Sequence, residues 1–284
     1  MNAGRIKFYT MRAVFVSFLI VFSMSVSGQS DFGLQLYSFR NQFAKDIPGT
    51  LQRISFTGIR FVEAGDTYGM QVDSFKSLLK KNQLQVVSIG VDYKELSGDL
   101  SAVIAKATSY GAVYVVCFWI PHSGAELNKA EADQAIEVFT KAGQRLKEAG
   151  LNFCYHPHGF EFATEGSGTL LDYMIQRTDP ASVNFEMDVF WIKQPDQDPL
   201  ALLQKYPGRF PLLHLKDRKI GSPGSRNGQA DVETNVMLGT GDVGITAIVQ
   251  EARKQGARYM FIEDESSRSE FQVPASWKFL QRIK

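Results

Sequence analysis

The sequence predicts an α/β protein with one domain, a closed (β/α)8 barrel. Short apolar runs rich in β-branched residues alternate with longer stretches of helical period, and eight such units follow one another. They occupy residues 29–284, close to the roughly 250 residues of a usual (β/α)8 barrel. No linker rich in Pro, Gly or Ser divides the chain. Strand count alone leaves a doubly wound open sheet as the main alternative.

The predicted strands are short and apolar. They lie near Leu34 to Ser38, Ile59 to Glu63, Gln85 to Val91, Val113 to Trp119, Leu151 to His156, Val183 to Asp188, Pro211 to Lys216 and Arg258 to Glu263. A helical pattern follows each strand. The clearest helix runs from about Lys129 to Glu148, where Ala132, Ile136 and Phe139 recur at helical spacing. Gly150 is expected to end this helix.

The first 28 residues are typical of a cleavable secretory signal. Three cations, Arg5, Lys7 and Arg12, precede an apolar run, and small residues follow up to Gly28. Cleavage after Gly28 is expected to leave Gln29 as the first residue of an exported, periplasmic chain. The apolar run is shorter than the roughly 20 residues that span a bilayer as a helix. A permanent membrane anchor is therefore the weaker alternative.

Composition restricts the possible partners and the cysteine chemistry. The chain has 31 Lys and Arg against 30 Asp and Glu, and removal of the three leader cations changes the formal charge from +1 to −2. Nucleic acid is therefore not an expected partner, because its binding would need a local basic patch. Two cysteines exclude a disulfide scaffold and a four-cysteine zinc module. A disulfide between Cys117 and Cys154 is conceivable in an exported protein, but barrel geometry favours two reduced core thiols.

One motif fits the fingerprint of dinucleotide-binding proteins. Gly239 to Gly244 reads G-x-G-x-x-G, and Glu263 lies near the distance at which such proteins place a ribose carboxylate. A polar loop, Gln229 to Thr234, precedes the motif instead of a strand, and only one strand follows it. The context therefore favours a loop that enters the seventh helix, with Asp242 as the N-cap.

Ionisable residues gather at the ends of four consecutive predicted strands. They are His156, His158 and Glu161 at the fifth, Glu186 and Asp188 at the sixth, His214, Lys216 and Asp217 at the seventh, and Glu263, Asp264 and Glu265 at the eighth. In a (β/α)8 barrel the carboxyl ends of the strands form the active face. Imidazole and carboxylate groups held there by rigid strands suit a divalent ion. The predicted ligands are therefore His156, Asp188, His214 and Glu263.

Each of these residues also has a structural explanation when it is taken alone. His156 can be a hydrogen-bonded core histidine, Asp188 a helix cap, and Lys216 and Asp217 an ion pair with each other. His122 is interpreted as a surface residue and left out of the site. The joint occurrence of four such groups at equivalent strand positions favours the metal hypothesis.

Six segments form an ordered set of motifs along the chain. They are LQLYSFR at Leu34–Arg40, YHPHGFEF at Tyr155–Phe162, FEMDVFW at Phe185–Trp191, YPGRFPLLHLKD at Tyr206–Asp217, LGTGDVG at Leu238–Gly244 and FIEDES at Phe261–Ser266. Together they resemble the sugar phosphate isomerase/epimerase family of xylose isomerase-like TIM barrels. The resemblance covers essentially the whole chain after residue 28 and implies the closed barrel.

The resemblance also implies one divalent metal ion, commonly Mn, Co, Zn or Mg. Family members bind it through a Glu, an Asp, a His and a Glu at strands five to eight, and Asp188, His214 and Glu263 match the last three. This chain departs from the family at the first position, where it offers His156. The absent glutamate is one of two acid/base carboxylates in ketose epimerases, and Glu161 is expected to substitute for it or to contact substrate. Trp191 takes the place of a substrate-binding histidine and suits the apolar face of a sugar.

These residues predict an exported sugar isomerase or epimerase that removes a proton next to a keto-sugar carbonyl. The ion would hold the carbonyl and the adjacent hydroxyl. Glu263 is the predicted base, Glu161 or His158 would contact the sugar and return the proton, and Lys216 would donate to an oxyanion. Isomerisation, epimerisation, dehydration and β-elimination of a 3-keto-glycoside begin with the same step, so the product stays open.

Two other functions stay open at this stage. A non-catalytic periplasmic sugar-binding protein would use the same carboxylates to bind hydroxyl groups without a metal. A metal-dependent nuclease of the base-excision endonuclease family shares this barrel, but it usually needs more metal ions and more histidines than the four present here, and the negative charge disfavours DNA. The oligomeric state and the native metal are not determined by the sequence.

Overall fold

Eight parallel strands form a closed barrel in the computed structural model, which describes Met1 and residues 31–284. The strands are Asp31–Gln35 (β1), Phe61–Ala64 (β2), Gln85–Val91 (β3), Tyr114–Cys117 (β4), Asn152–Tyr155 (β5), Val183–Asp188 (β6), Leu212–Leu215 (β7) and Tyr259–Ile262 (β8). Each strand pairs with its neighbours in chain order, and β1 pairs with β8. The predicted barrel is therefore confirmed, and the open-sheet alternative is wrong.

Helices connect the strands. Their bounds are Arg40–Phe43 (α1), Ile47–Phe56 (α2), Val72–Lys81 (α3), Tyr93–Leu96 (α4), Ser101–Tyr110 (α5), Lys129–Glu148 (α6), Leu170–Arg177 (α7), Val189–Lys193 (α8), Pro199–Lys205 (α9), Ile245–Lys254 (α10) and Ser269–Leu280 (α11). Short 3-10 turns lie at Leu36–Phe39, Phe160–Phe162 and Val232–Thr234. Two-residue hairpins pair Thr164–Glu165 with Gly168–Thr169 and Asp217–Arg218 with Asn235–Val236.

The alternation of side chains along each strand divides the core into two parts. Residues such as Val115 and Phe153 belong to a large apolar layer that also contains Phe139 of α6. A smaller cluster fills the inside of the barrel, with Val87, Tyr114, Val116, Cys154, Leu212 and Phe261. The buried histidines and carboxylates described below lie nearer the carboxyl ends of the strands than most of this cluster.

The predicted strand bounds agree with the structure except at the first strand. β3 and β6 have the predicted bounds, and the other later strands differ by one or two residues at each end. The first strand, predicted at Leu34 to Ser38, lies at Asp31–Gln35 and is followed by a 3-10 turn. Leu36 and Phe39 are buried within that turn. Their apolar character therefore reflects packing rather than strand structure.

α6 begins and ends where its pattern predicts. The Asn128 side chain accepts a hydrogen bond from the Glu131 N–H, and the Glu131 carboxylate accepts one from the Asn128 N–H, both at 3.0 Å. Gly150 has a φ of 78°, a left-handed conformation that favours glycine after a helix. On the buried face, Gly143 lies against the Ser182 backbone so closely that a Cβ atom would clash with the Ser182 carbonyl oxygen.

The segment from Gly239 to Gly244 is a loop, and its amide groups bind a carboxylate of the chain itself. The Asp217 carboxylate accepts hydrogen bonds from the N–H groups of Gly239, Gly241 and Val243 at 2.8, 3.0 and 3.2 Å. The alternative that Asp217 pairs with Lys216 is therefore wrong. The amide donors that bind a pyrophosphate in a dinucleotide fold are here occupied from within the protein.

The prediction that Asp242 caps the following helix is also wrong. Gly244 occupies the N-cap position of α10 with a φ of 89° and makes no side-chain cap. The Asp242 carboxylate instead accepts two hydrogen bonds from the Arg218 guanidinium, at 3.0 and 2.9 Å. This bidentate pair links the end of the loop to the residue after Asp217.

Cys117 and Cys154 are buried free thiols that face different parts of the core. Cys154 belongs to the cluster inside the barrel, and Cys117 belongs to the outer apolar layer. In the ladder between β4 and β5, Cys117 lies opposite Tyr155, and Cys154 lies opposite Val116. The two sulfur atoms are thus on opposite sides of the barrel wall, in agreement with the favoured prediction of reduced thiols.

No helix within residues 31–284 has both the length and the apolar character needed to cross a bilayer. The signal sequence predicted at residues 1–28 lies, apart from Met1, outside the described residues. Its cleavage and the export of the chain stay predictions.

Replacement of Gly143 by alanine tests the packing of α6 on the barrel. Alanine has a helix propensity about 1 kcal/mol better than glycine, but its Cβ would overlap the Ser182 backbone, and overpacking of this kind costs about 1–3 kcal/mol. We expect Gly143→Ala to lower the free energy of unfolding measured by urea denaturation. The exposed neighbour Gln144 provides the control. A Gly143→Ala protein at least as stable as Gln144→Ala would contradict the close packing.

Candidate active site

Four strand ends bring His156, Asp188, His214 and Glu263 together at the carboxyl mouth of the barrel. Asp188 and His214 are paired directly in the β6–β7 ladder. His156 Nε2 lies 3.8 Å from Asp188 Oδ2, and His214 Nδ1 lies 3.3 Å from Glu263 Oε2. His156, Asp188 and His214 each offer a potential ligand atom within 4.8 Å of the others. These side chains therefore face a common point, and their binding of a metal stays a prediction.

Asp188 presents its two carboxylate oxygens to different partners. Oδ1 accepts hydrogen bonds from the N–H groups of Phe190 and Trp191 at 2.8 and 3.2 Å, which caps α8. Oδ2 is buried and has no hydrogen-bond partner among the described residues. Burial raises the pKa of Asp188 to about 7, and the nearby Lys216 ammonium opposes this rise. The helix-cap explanation thus accounts for one oxygen of Asp188 and leaves the other oxygen without a partner.

Two buried carboxylates, Glu63 and Glu186, contact the histidines, and neither is among the ligands predicted from the sequence. Glu186 Oε2 lies 2.9 Å from His156 Nδ1 and 3.2 Å from His214 Nε2. Glu63 Oε1 lies 2.7 Å from the same His214 nitrogen. A sequence signal exists for both, because each is an acidic residue within an apolar strand, and Glu186 shares a strand face with Asp188 two residues later.

The two histidines have opposite electrostatic surroundings. Burial, with a further contribution from the His214 charge, lowers the pKa of His156 well below its ordinary value. Burial also acts against the charged form of His214, but the carboxylates of Glu186, Glu263 and Glu63 outweigh it and raise the His214 pKa well above its ordinary value. In the metal-free protein, positive charge in this cluster is therefore concentrated on His214.

Lys216 is buried in the wall of the site and pairs with two carboxylates. Its Nζ lies 3.3 Å from Glu263 Oε2 and also forms an ion pair with Glu265. The rings of Phe190 and Trp191 lie 5.2 and 5.5 Å from the same nitrogen and add cation–π contacts. Burial raises the pKa of Glu263, but the Lys216 and His214 charges outweigh burial and hold it well below its usual range. Glu263 is therefore ionised at neutral pH.

A cavity of about 520 Å³ opens above these groups. Phe118, Trp119, Phe190 and Trp191 contribute aromatic walls, and the loop after β7 adds residues 228–230. Gly228 packs against Trp119, since a Cβ atom at Gly228 would lie 3.1 Å from the indole ring. A polar end between aromatic walls suits a small ring that carries hydroxyl groups on its edge and apolar faces.

His158 and Trp191 line the cavity, as their predicted contacts with a substrate require. Their ring centroids are 5.5 Å apart. His158 Nδ1 is buried and has no side-chain hydrogen-bond partner within the described part of the chain. Burial and the Lys216 charge lower the pKa of His158 to about 3, which keeps its ring neutral at physiological pH.

The structure does not place Glu161 on the cavity wall. Its carboxylate is fully buried and accepts hydrogen bonds from the Tyr155 hydroxyl and from the N–H groups of His158 and Gly159, the last two at 3.1 and 2.9 Å. These donors belong to the segment that carries His156 and His158. The expectation that Glu161 contacts substrate or returns a proton is therefore corrected: its carboxylate positions the loop that carries His158.

The donor set at the barrel mouth fits one divalent cation. Imidazole nitrogen and carboxylate oxygen are ligands that Mn²⁺, Co²⁺ and Zn²⁺ accept. A cation beside His156 and His214 would supply the partner that Asp188 Oδ2 lacks. Glu263, next to His214 Nδ1, extends the set to four side chains.

Comparison with known proteins identifies the family. The sequence profile described as the xylose isomerase-like TIM barrel matches residues 51–283. The chain belongs to this family. The resemblance of its six motifs to xylose isomerase-like barrels is thereby confirmed.

Individual relatives are distant. An inosose dehydratase from Clostridium beijerinckii is 23% identical over 189 residues, which cover 59% of this chain and 62% of that enzyme. The chain thus matches less than two thirds of that relative's length. A sugar phosphate isomerase/epimerase from Parabacteroides distasonis superposes with a TM-score of 0.74 at 22% identity, over 90% of this chain and 100% of the other.

Two of the structural neighbours were solved with a bound metal, one with zinc and one with magnesium. The IolI protein was solved with a bound zinc atom, and it superposes with a TM-score of 0.66 at 12% identity, over 89% of this chain and 96% of the other. At these identities the structural likeness establishes a shared fold. The roles of individual residues in this chain are argued from its own geometry.

Glu161 gives the protein a pH-dependent stability that a single substitution removes. Burial raises the pKa of Glu161 from 4.5 to about 7 in the folded protein. Its contribution to stability is therefore fully present below pH 4.5 and is lost as the pH rises through 7. Relative to Glu161→Gln, the wild-type free energy of unfolding should fall by about 3 kcal/mol between pH 4.5 and 8.

Urea denaturation of both proteins across this pH range, in the presence of a chelator, measures the difference. Glu148→Gln, at an exposed position of α6, is the control for removal of one carboxylate charge. A difference between wild type and Glu161→Gln that stays constant with pH would contradict the assignment.

Proposed function

We propose that this chain is an enzyme that removes a proton next to the carbonyl group of a polyhydroxylated cyclic ketone, with one divalent metal ion as cofactor. The observation that carries the proposal is the buried Asp188 Oδ2 atom, which has no hydrogen-bond partner within residues 31–284 and faces His156 beside the cavity. The Lys216–Glu263 ion pair adds a proton acceptor and a positive charge on the same cavity wall. The inosose dehydratase and the sugar phosphate isomerase/epimerase among the similar proteins support the substrate class.

His156, Asp188, His214 and Glu263 would hold the ion. A divalent ion bound there would polarise a carbonyl oxygen of the substrate and make the neighbouring C–H group more acidic. The four side chains project from or directly follow β5 to β8, so little rearrangement is needed to bring them to one point.

Glu263 is the proposed base. It is ionised at neutral pH because Lys216 and His214 stabilise its charge, and its side chain lines the cavity. When Glu263 accepts a proton, Lys216 keeps its second partner, Glu265, and its ammonium can donate to an oxygen that becomes negative in the substrate.

Two further side chains would orient the substrate. The neutral ring of His158 lines the cavity and can form a hydrogen bond with a substrate hydroxyl. Trp191 offers an indole ring on the same wall, where the apolar face of a sugar or cyclitol ring can pack.

Loss of water is the proposed outcome of the reaction. The C–H proton passes to Glu263, its electron pair forms a carbon–carbon double bond, and the hydroxyl group on the next carbon leaves. The proton taken by Glu263 is available to that hydroxyl, so the products are an unsaturated ketone and water. The inosose dehydratase among the relatives supports this outcome. Isomerisation or epimerisation would begin with the same step and return the proton to the substrate.

Exchange with deuterated solvent tests the proposed proton transfer. Protein loaded with Mn²⁺ or Co²⁺ is incubated in D2O with inososes, ketoses and 3-keto-glycosides, and mass spectrometry follows deuterium uptake and loss of water. We expect wild type to act on at least one compound. Glu263→Gln should lower the rate by about 10²–10⁴-fold, because its amide cannot accept the proton.

Asp172→Asn provides the matched carboxylate-to-amide control. Asp172 lies in α7, where it contacts Lys205 and Tyr206, and it does not line the cavity. Its variant should retain the wild-type rate. If metal-loaded wild type shows neither deuterium exchange nor loss of water with any compound of the panel, the proposed reaction is contradicted. Sugar binding without a bound ion would favour a non-catalytic sugar-binding protein.

We also propose that the chain is exported and cleaved after Gly28. Three cations before a short apolar run and a small-residue end support this proposal. Expression of the full chain in a bacterium with a secretory pathway should yield a periplasmic protein that begins at Gln29, as measured by intact mass. A Gly28→Arg variant should block cleavage, because the cleavage site requires small residues. A cytoplasmic wild-type chain that keeps residues 1–28 would contradict export.

A further inference from the structure

Glu63 and Glu186 are buried carboxyl groups that the proposed reaction does not use. Both side chains are fully buried, and neither lines the cavity, so neither can touch a substrate. Glu186 lies two residues before Asp188 on β6, opposite Leu212 of the inner apolar cluster. The two carboxylates thus form a layer between the apolar interior of the barrel and the histidines at its mouth.

Each histidine directs one ring nitrogen to this layer and the other nitrogen to the proposed ligands. His156 places Nδ1 2.9 Å from Glu186 Oε2 and Nε2 3.8 Å from Asp188 Oδ2. His214 places Nε2 2.7 Å from Glu63 Oε1 and Nδ1 3.3 Å from Glu263 Oε2. The nitrogen that faces the carboxylate layer is therefore Nδ1 in one histidine and Nε2 in the other.

We infer that Glu63 and Glu186 are positioning residues that set the tautomer and orientation of the two metal-binding histidines. This inference rests on the proposed metal-dependent function. A neutral imidazole can bind a cation only through the nitrogen that carries no proton, and a hydrogen bond from its N–H group to a carboxylate keeps the proton on the opposite nitrogen. Glu186 accepts this bond from His156, and Glu63 accepts it from His214.

The hydrogen bonds of Glu63 distinguish this role from that of a ligand to a second ion. Its Oε1 also accepts a hydrogen bond from Gln35 Nε2 at 2.6 Å, and its Oε2 accepts one from the Ser88 hydroxyl. Strand register places these donors, because Gln35 lies opposite Glu63 and Glu63 lies opposite Ser88. Both oxygens of Glu63 are thus engaged by protein donors, and no cation is needed to balance its hydrogen bonds. Glu63, Glu186 and His214 lie close enough to hold an ion, and Glu186 Oε1 has no partner among the described residues, so the experiment below also counts the ions bound.

Of the two residues, Glu186 should have the larger effect on metal affinity. Its Oε2 lies within 3.2 Å of nitrogens from both histidines, whereas Glu63 contacts only His214 of that pair. Glu186 also places a carboxyl group next to His156, which stands at the position where the family resemblance implies a glutamate. The chain therefore keeps a carboxyl group beside that position, in contact with the histidine rather than with the ion.

The experiment measures metal affinity and histidine tautomers in wild type, Glu63→Gln, Glu186→Gln and the control Asp172→Asn. Competition with a chromogenic chelator gives the affinity for Zn²⁺, and long-range ¹H–¹⁵N spectra of the zinc-loaded proteins identify the protonated nitrogen of each ring. In wild type we expect one ion, a proton on Nδ1 of His156 and a proton on Nε2 of His214. Glu186→Gln should weaken Zn²⁺ binding by about 10–100-fold, and Glu63→Gln by less.

The possible outcomes separate the inference from the function on which it rests. Unchanged Zn²⁺ affinity and unchanged tautomers in both variants, with tight binding by wild type, would overturn the inference alone. Absence of Zn²⁺ binding by wild type would overturn the proposed function and the inference with it. Two ions per chain, reduced to one by Glu63→Gln, would assign Glu63 as a ligand and overturn the positioning role. A comparable loss of affinity in Asp172→Asn would show that the effect arises from lowered stability, and it would overturn the inference.

Discussion

Polar groups buried inside the barrel need hydrogen-bond or ion-pair partners, and this requirement determines how side chains are arranged at the carboxyl end of the barrel. Glu63 connects Gln35 on β1 and Ser88 on β3 to His214 on β7. Glu186 on β6 then connects His214 to His156 after β5. The resulting network crosses the interior of the barrel. The strand register that closes the sheet therefore also determines which polar groups meet.

The site depends on a division between apolar and polar layers. Leu212 and Phe261 belong to the cluster that fills the barrel interior, and His214, two residues after Leu212, already belongs to the polar layer. Because water has little access to this layer, the charges of Lys216 and Glu263 act on one another strongly and keep Glu263 ionised. A base that is ionised at neutral pH thus lies directly beside the residues that fit a cation.

The features of the fold and of the site that can be predicted from the sequence are those that depend on the residue pattern within one segment or on a general rule of the barrel. The bounds of α6 follow from a helical stripe, a capping pair and Gly150, and the proximity of His156, Asp188 and His214 follows from the rule that strand ends meet at one face. The roles of Glu63 and Glu186 depend on partners across neighbouring strands, which no single segment contains.

Glu161 illustrates how a local motif can mislead. It lies close in sequence to His156 and His158, but Gly159 turns the chain with a φ of 100°, and the carboxylate folds back beneath the segment that precedes it. The error in the predicted position of the first strand has a similar cause. Leu36 and Phe39 are apolar because they are buried in a 3-10 turn, not because they belong to a strand. In both cases tertiary contacts, rather than sequence spacing, decide where the side chain lies.

The loop around Asp217 has a consequence for how such chains are interpreted from sequence. Its glycines place three backbone amides around one internal carboxylate, so the anion bound by this glycine pattern is a side chain of the protein itself. A search for nucleotide-binding enzymes by glycine spacing would retrieve this protein as a false positive. In this chain the residue that occupies those amides is Asp217, directly after the strand end that carries His214 and Lys216.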